Sequence, residues 1–199
     1  FDFYISDLDA RALIVGAAMD SPAREVARKR NVPVIELDTA VDMQAGVFTL
    51  SGTGQGSVDA GAFAGRDDVA LLLHTSGTTS RPKLVPLSHA NVCRSASNIA
   101  TTLSLTERDR CLNVMPLFHI HGLMGAVTAS ITAGASLVCA PGFDPEKSFT
   151  WLDEFEPTWY TAVPTIHQAV LGSANAHAAI IARRPLRLIR SSSAAMPVQ

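Results

Sequence analysis

The sequence has few of the residues that mark specialised classes of protein. Its three cysteines, Cys93, Cys111 and Cys139, are odd in number and widely spaced among apolar neighbours, which disfavours a disulfide framework or a cysteine metal site. We expect reduced thiols in a cytoplasmic protein. The chain shows no run of eighteen apolar residues and no signal peptide, and its net charge of −2 provides no broad basic surface. The sequence therefore predicts neither a membrane nor a nucleic acid as partner.

What remains is a globular composition, with 47% hydrophobic and 17% charged residues in a chain of 199, which is enough for a sizeable core. Apolar runs at residues 12–15 and 34–37 predict two strands. Between them, Ser21 followed by Pro22 predicts the start of a helix, and Asn31 predicts its end. A strand, a helix and a strand at this spacing favour a parallel pair with a crossover helix.

Later segments continue the alternation of strands and helices. Ser88 predicts an N-cap, and an apolar stripe at helical spacing extends that helix to about Leu103. Apolar and small-residue runs predict the remaining elements: strands at 111–115, 136–140 and 186–189, and helices at 122–133 and at 145–156, the latter capped by Asp144. The expected fold class is α/β, a three-layer arrangement with a mostly parallel sheet flanked by helices.

Residues 51–65 are rich in glycine and resemble a nucleotide-binding loop only superficially. Gly52, Gly54 and Gly56 fail the G-x-G-x-x-G pattern, because Ser57 stands where the third glycine should be. No convincing helix follows the stretch either. We interpret it as a flexible connection, for which a hairpin is one form.

The clearest functional signal is the stretch from Leu71 to Lys83. An apolar run fits a buried central strand of a parallel sheet, and it leads into hydroxyl side chains grouped around Gly77. Successive backbone N–H groups in such a loop can form a concavity for anions, and Lys83 adds a positive charge. This chemistry suits polyphosphate, although the Walker A spacing is absent.

The residues Thr75-Ser76-Gly77-Thr78-Thr79, followed after two positions by Pro82-Lys83, resemble the phosphate-binding signature of the adenylate-forming superfamily. That superfamily includes acyl-CoA synthetases, luciferases and the adenylation domains of peptide synthetases. The residues that the resemblance implies for binding ATP phosphates are Thr75, Ser76, Gly77, Thr78, Thr79 and Lys83. The alternative to a phosphate-binding loop is an ordinary Ser/Thr-rich surface loop after a strand. Ser80 stands where most members have glycine, and the Ser-Arg-Pro-Lys ending is typical of the oxalate–CoA ligase branch.

Two histidines, His119 and His121, follow the strand predicted at 111–115. On an extended stretch, side chains two residues apart point the same way. A metal pair would need further ligands, which are not close in sequence, and satisfied core histidines are a second alternative. The third is a resemblance to the second superfamily motif, which implies that His119 lies at the catalytic, carboxylate-activating end and that His121 lines the acyl pocket. His-x-His is typical of members that take small dicarboxylates, and an imidazolium would pair with a second carboxylate.

The last predicted strand leads into a loop of small residues at its carboxyl end, where ligands of doubly wound sheets bind. The superfamily carries a Gly-Ala-Ala-Pro stretch here, and the resemblance implies that the adenine and the acyl group lie along Ser192, Ser193, Ala194 and Ala195. The implied substrate-binding residues, expected to form one cluster, are His119, His121, Ser191 and Ser193. The run at 158–168 also resembles oxalate–CoA ligases, and we interpret its histidine, His167, as structural.

The resemblance implies an AMP-forming, ATP-dependent acid–CoA ligase that activates a small dicarboxylate, in the first place oxalate, and transfers it to CoA. ATP, Mg²⁺ and coenzyme A then take part as substrates, and no metal ligand is expected within residues 1–199. Malonyl-CoA synthetase or another short- or medium-chain acyl-CoA synthetase is the alternative enzyme. A non-catalytic nucleotide-binding fragment is the alternative of another class. The oligomeric state stays open.

Several motifs of the superfamily are not found in these residues: the glutamate motif for adenine and Mg²⁺, the ribose-binding aspartate motif and the C-terminal catalytic lysine. We therefore expect part of the large N-terminal domain, with the small C-terminal domain absent and no ligase activity of residues 1–199 alone. Within this part, residues 1–50 are expected to form an α/β unit, 51–66 a glycine-rich connection, and 67–199 the portion with the phosphate loop and the acyl pocket.

Overall fold

The structure, a computed structural model of the chain, describes residues 1–39, 42, 44–52, 61, 63–75 and 82–196. The chain divides into two compact units, Phe1–Phe63 and Ala64–Gln199. Among the described residues, no helix has both the length and the apolar character that crossing a bilayer requires. The same residues contain no group of three or more His, Cys, Asp and Glu side chains that could hold a metal ion.

The first unit has the predicted order of strand, helix and strand. Its elements are α1 (Asp2–Asp7), β1 (Leu13–Gly16), α2 (Pro22–Lys29), β2 (Val34–Asp38) and β3 (Thr49–Gly52). β1 and β2 are parallel, and β3 joins β2 in the antiparallel direction. The predicted ends of α2 are confirmed, because the Ser21 side chain accepts a hydrogen bond from the Ala23 N–H and Asn31 leaves the helix with φ 55°.

The second unit opens with a hairpin, which contradicts one prediction. β4 (Val69–Thr75) pairs antiparallel with β5 (Lys83–Ser88), and Thr75 lies opposite Lys83. A parallel neighbour needs a crossover connection of a dozen or more residues, whereas the shorter segment between these strands returns the chain directly. The prediction of a buried central parallel strand is therefore wrong, and Leu72 within it is 39% exposed.

Helices and parallel strands alternate after the hairpin. The elements are α3 (His89–Thr102), β6 (Arg110–Asn113), α4 (Ile120–Gly122), a π-helical turn (Leu123–Thr128), α5 (Ala129–Thr132), β7 (Ser136–Cys139), α6 (Pro145–Phe155), β8 (Trp159–Ala162), α7 (Pro164–Ser173), a 3₁₀ turn (Ala174–His177), α8 (Ala178–Arg183) and β9 (Leu188–Ser191). The predicted caps of α3 and α6 are confirmed, since the side chains of Ser88 and Asp144 accept hydrogen bonds from N–H groups of the first turns.

Four of these strands form an all-parallel sheet in the order β7-β6-β8-β9. Successive side chains of a strand alternate between the two faces of a sheet. Cys111 and Trp159 pack with Ala126 of the π-helical turn on one face, whereas Leu112 and Tyr160 pack on the other, against side chains of α6 and α7. Helices therefore cover both faces, which confirms the predicted three-layer α/β fold.

One buried carboxylate joins the amino ends of three neighbouring strands. Asp109, within the turn before β6, accepts a hydrogen bond from the Thr158 hydroxyl at 2.8 Å and from Arg187 Nε at 2.9 Å, and these two residues immediately precede β8 and β9. The backbone N–H of Thr106 donates to the same carboxylate at 2.8 Å. These contacts hold one end of the sheet together, and the opposite, carboxyl end carries the predicted site.

Candidate functional site

The site lies at the carboxyl edge of the parallel sheet, where ligands of such sheets bind. His121 is in α4, which follows β6, and Ser193 is in the loop after β9. His121 is 6% exposed. Its Nδ1 lies 3.0 Å from Ser193 Oγ, and its Nε2 lies 2.7 Å from Thr161 Oγ1 on β8. One imidazole therefore connects segments that come from three strands.

Arg190 on β9 belongs to the same group of side chains. Its Nη1 donates to Thr161 Oγ1 at 3.1 Å, and its Nη2 donates to Ser192 Oγ at 3.4 Å. No carboxylate of the described residues pairs with this guanidinium. Burial lowers the pKa of Arg190, since a cation is disfavoured where water is partly excluded. A half-buried cation without a carboxylate partner suits an anionic ligand.

The His121 ring is neutral in this environment. Burial lowers its pKa most, and the positive charge of the nearby Arg190 lowers it further. Because the ordinary pKa of histidine is about 6.5, a lowered value leaves the ring without a charge at neutral pH. In the protein without ligand, His121 therefore acts as a neutral hydrogen-bonding ring, and the pairing of an imidazolium with a bound carboxylate stays a prediction.

His119 does not share the position of His121. It is the N-cap residue of α4, it is exposed, and the centroid of its ring lies 4.6 Å from that of Phe118. The chain enters a helix at this point, and residues two apart on a helix point about 200° apart. The prediction that the two histidines point the same way on an extended stretch is wrong.

Ser191 and Ser193 are separated by the alternation of β9. The Ser191 side chain points away from the face that carries Arg190 and lines a cavity with Tyr160 on the other side of the sheet. Ser193 lies beyond the strand, with φ 73°, and contacts His121. Of the four residues predicted to form one cluster, the structure brings together one pair, so the prediction of a single cluster is wrong.

The small-residue loop follows the end of the sheet. The backbone N–H of Ser192 donates to the Ala162 carbonyl at 3.2 Å, just beyond the last paired residues of β8 and β9. Ala194 and Ala195 are exposed. The main chain of the loop is therefore held against β8, and its small side chains leave the outer surface open.

The predicted phosphate loop is described only at its two ends. Thr75 and Lys83 form the last pair of the hairpin, and the Thr75 hydroxyl lies 3.5 Å from the Lys83 carbonyl oxygen. The residues of the loop that lie outside the described part of the chain are Ser76, Gly77, Thr78 and Thr79. The hairpin holds the two ends of this loop side by side.

Sequence reasoning missed Thr161 and gave no role to the side chain of Arg190. Thr161 is fully buried within β8, a strand whose four residues are all buried. A polar side chain in such a strand is the signal that could have found it, because buried polar groups need hydrogen-bond partners. Arg190 carries a comparable signal, a charge placed directly after the apolar residues of β9.

His167 uses both ring nitrogens within the protein. Its Nδ1 lies 2.8 Å from the Tyr160 hydroxyl, and its Nε2 lies 3.1 Å from the Ala162 carbonyl and 3.2 Å from the Arg190 carbonyl. Because carbonyl oxygens only accept, Nε2 carries the proton and Nδ1 accepts from the tyrosine. His167 thus joins α7 to the last two strands, in agreement with its structural interpretation.

Known proteins resemble this chain, some of them over nearly its whole length. The family described as AMP-binding enzyme matches residues 1–199. The oxalate–CoA ligase of Arabidopsis thaliana is 41% identical over 202 residues, which cover 98% of this chain and 38% of that protein. The oxalate–CoA ligase of Saccharomyces cerevisiae is 48% identical over 109 residues, which cover 55% of this chain and 20% of that protein. The mitochondrial malonate–CoA ligase of Mus musculus is 28% identical over 209 residues, which cover 99% of this chain and 35% of that protein.

The fold is also found in a solved structure. ATP-bound MatB from Rhodopseudomonas palustris matches with a TM-score of 0.75 at 26% identity, and the match covers 97% of this chain and 37% of that one. The chain therefore spans less than two fifths of the length of each of these relatives.

Proposed function

The chain belongs to the AMP-binding enzyme family, and on this premise we propose that the whole protein is an AMP-forming acid–CoA ligase whose acid is oxalate. The observation that carries the choice of acid is the hydrogen-bonded pair of His121 and Ser193, close to the guanidinium of Arg190 at the carboxyl edge of the sheet. The similarity to two oxalate–CoA ligases supports the same choice.

The proposed reaction has two steps. A carboxylate oxygen of the acid attacks the α-phosphorus of MgATP, the bond to the β-phosphate breaks, and acyl-AMP and pyrophosphate form. The thiol of CoA then attacks the acyl carbon, and AMP leaves. Residues 75–79 and Lys83 bind the β- and γ-phosphates, where charge develops on the leaving pyrophosphate. Backbone N–H groups, hydroxyls and a lysine suit this role because they stabilise negative charge.

Oxalate places a second carboxylate directly beside the one that reacts. Burying that charge without a partner is costly, so a selective pocket needs donors at short distance. In our proposal, Ser193 supplies a donor at the exposed end of the pair, and His121 holds it in place. His119, exposed in front of α4, is the proposed catalytic residue at the carboxylate that reacts.

The proposal also assigns the binding of the other reactants to particular parts of the protein. Residues 67–199 would carry the phosphate loop and the acyl site of a larger N-terminal domain. The adenylate would lie along residues 192–195, where exposed small side chains leave room for it. The groups that bind Mg²⁺ and CoA, and the remaining groups that bind adenine, would belong to other parts of the protein, because the superfamily's glutamate, ribose-binding aspartate and catalytic lysine motifs are not found in residues 1–199.

Malonate is the second candidate acid. It is favoured by the similarity of nearly the whole chain to the malonate–CoA ligase of Mus musculus. Malonate is longer than oxalate by one methylene group, so a donor placed for the second carboxylate of one acid is displaced for the other. The ratio of kcat/KM for the two acids decides between them.

The test uses the full-length protein and measures pyrophosphate release with ATP and a series of acids. Ser193→Ala removes one hydrogen bond to a charged group, so kcat/KM for oxalate should fall about ten- to a hundredfold. His121→Phe combined with Ser193→Ala should favour acetate or butyrate over oxalate, because the pocket then loses both polar groups. Ser97→Ala, at an exposed position of α3, is the matched control and should leave the rates unchanged.

Three results would count against the proposal. Equal losses for oxalate and acetate in Ser193→Ala would contradict the assignment of this hydroxyl to the second carboxylate. A wild-type protein that uses malonate better than oxalate would favour the second candidate. A full-length protein that forms no acyl-CoA from any acid would refute the ligase activity itself.

A further inference from the structure

The hydrogen bonds around His121 have a direction that follows from their charged end. A guanidinium carries donors and no acceptor, so Arg190 Nη1 donates to Thr161 Oγ1, 3.1 Å away. A hydroxyl has a single proton, which Thr161 must place elsewhere. The other partner of Thr161 Oγ1 among the described residues is His121 Nε2, at 2.7 Å.

The burial of Thr161 makes this second bond decisive. The residue is 0% exposed, so a hydroxyl proton without an acceptor would be buried and unsatisfied, which is costly. If Nε2 of His121 were protonated, it would also donate to Thr161 Oγ1 and leave the hydroxyl proton without a partner. The ring therefore accepts at Nε2 and carries its proton on Nδ1.

The same direction continues to the outer end of the chain of hydrogen bonds. With its proton on Nδ1, His121 donates to Ser193 Oγ, 3.0 Å away. Ser193 is exposed and lies beyond β9, so its own proton stays available for a ligand. In the reverse direction, Ser193 would give that proton to Nδ1 and would present only lone pairs, which repel a carboxylate.

We propose that Arg190 is a positioning residue that fixes the tautomer of His121 and thereby makes Ser193 a hydrogen-bond donor towards the carboxylate of the substrate. That the ligand is a carboxylate rests on the proposed function. Arg190 acts through Thr161 and does not need to touch the acid. Selectivity for an anion at Ser193 then depends on a half-buried side chain three residues away in sequence.

Gly125 makes room for Arg190. A Cβ atom at this position would lie 2.9 Å from Arg190 Nη1 and 3.4 Å from His121 Cδ2. Gly125 belongs to the π-helical turn, and such turns are frequent at functional sites. Gly125→Ala is thus a second way to disturb Arg190, one that displaces the guanidinium and keeps its charge.

The first experiment reads the tautomer without any substrate. The full-length protein is labelled with ¹⁵N-histidine, and the signals of the His121 ring are identified by their loss in His121→Gln. Correlations between ring nitrogens and carbon-bound protons distinguish a protonated Nδ1 from a protonated Nε2. We expect a protonated Nδ1 in the wild type. In Arg190→Met the shorter, apolar side chain lets water reach Thr161 Oγ1 and accept its proton, so the preference for this tautomer should be lost. A protonated Nε2 in the wild type, or an unchanged tautomer in Arg190→Met, would overturn the proposal.

The second experiment measures KM and kcat for oxalate by pyrophosphate release. Arg190→Met and Gly125→Ala should raise KM about ten- to a hundredfold, as expected for the loss of one hydrogen bond to a charged group. Arg190→Lys keeps a charged donor and should recover part of the affinity. The loss of a positive charge could by itself weaken the binding of an anion, so a double-mutant cycle is needed to separate the two effects.

The cycle combines Arg190→Met with Ser193→Ala. Because the hydroxyl donor is already absent in Ser193→Ala, adding Arg190→Met should raise KM by less than about twofold. An undiminished effect in that background would show a purely electrostatic role and would overturn the proposal. If the wild type activates no acid, the proposed function fails, whereas the tautomer experiment still decides the role of Arg190.

Discussion

Replacing Asp109 by asparagine tests how one carboxylate holds the amino ends of the sheet together. Asp109 is 4% exposed and accepts hydrogen bonds from Thr158, Arg187 and the backbone of Thr106. Asparagine has the same shape but a single acceptor oxygen, and its NH₂ group would face a donor. The loss of the acceptor and the loss of the charge both destabilise the folded state.

The magnitude follows from the surroundings of each partner. One buried hydrogen bond to a charged group is lost, which costs about 1.5–3 kcal/mol. The ion pair with Arg187 adds about 0–1 kcal/mol, because the Arg187 side chain is 44% exposed and water can hydrate it. We expect Asp109→Asn to lower the free energy of unfolding by about 1.5–4 kcal/mol at neutral pH.

This difference should depend on pH. Burial alone would raise the pKa of Asp109, but hydrogen bonds from Thr106, Thr158 and Arg187 outweigh burial, and the pKa is lowered. Such a carboxylate stabilises the fold above its unfolded pKa, about 3.9, and loses this contribution as the pH falls through its folded pKa. The difference between wild type and Asp109→Asn should be constant from about pH 5 to 8 and should shrink below about pH 4.

Urea unfolding of the full-length protein, followed by the fluorescence of the buried Trp159, measures the difference. Asp67→Asn, at an exposed carboxylate, is the matched control and should change the free energy of unfolding by less than about 0.5 kcal/mol. A change as small as this for Asp109→Asn would refute the reasoning, and so would a difference that persists undiminished at about pH 3.

Two further predictions concern the phosphate loop and a buried tyrosine. Thr78→Val or Thr79→Val should slow acyl-adenylate formation about ten- to a hundredfold, whereas Ser80→Gly should change this rate little. The release of pyrophosphate measures both effects. A large loss in Ser80→Gly with full activity in the valine variants would contradict the roles assigned to these residues. Tyr160→Phe removes the hydroxyl that donates to His167 at 2.8 Å and should cost about 1–2 kcal/mol in urea unfolding. Because burial raises the pKa of Tyr160 to about 12, the wild type should lose stability above about pH 10, and an equal loss in Tyr160→Phe would contradict this origin.

Local signals predict most of the secondary structure. Ser21, Ser88 and Asp144 cap helices as expected, because capping depends on hydrogen bonds within one turn of chain. Apolar runs predict three strands of the four-stranded sheet, since a parallel sheet covered on both faces requires such runs. The resemblance at residues 75–83 leads to the family without any knowledge of the geometry.

The direction of β4 is not contained in such local signals. An apolar run of this length has the same appearance in a parallel sheet and in a hairpin. The partner strand β5 contains Pro86, which pairs with Leu72 and lowers the strand signal of its segment. The antiparallel pairing of β4 with β5 can be recognised only when both segments are considered together.

The conformation around His121 depends on contacts that sequence patterns do not show. α4 begins at Ile120, and the side chain of its N-cap residue, His119, makes no capping hydrogen bond, so no capping signal marks the start of this helix. A Cβ atom at Gly122 would lie 2.5 Å from the carbonyl oxygen of Pro116. This close approach requires glycine, and the turn that it permits leaves His121 buried and His119 exposed.

The register of β9 decides which of its neighbouring residues belong to the site. Thr161 pairs with Arg190, and successive residues of a strand face opposite sides of the sheet. A slip by one residue would bring Ser191 beside Thr161 and send the guanidinium to the opposite face. A motif matched along the sequence carries no such information.

The backbone of Ser193 breaks the alternation of β9. If the strand continued, the Ser193 side chain would lie on the same face of the sheet as that of Ser191, but its backbone is left-handed, with φ 73°. That conformation costs a residue other than glycine about 1–3 kcal/mol, and the strain lies at the residue whose hydroxyl must turn to the face of Arg190.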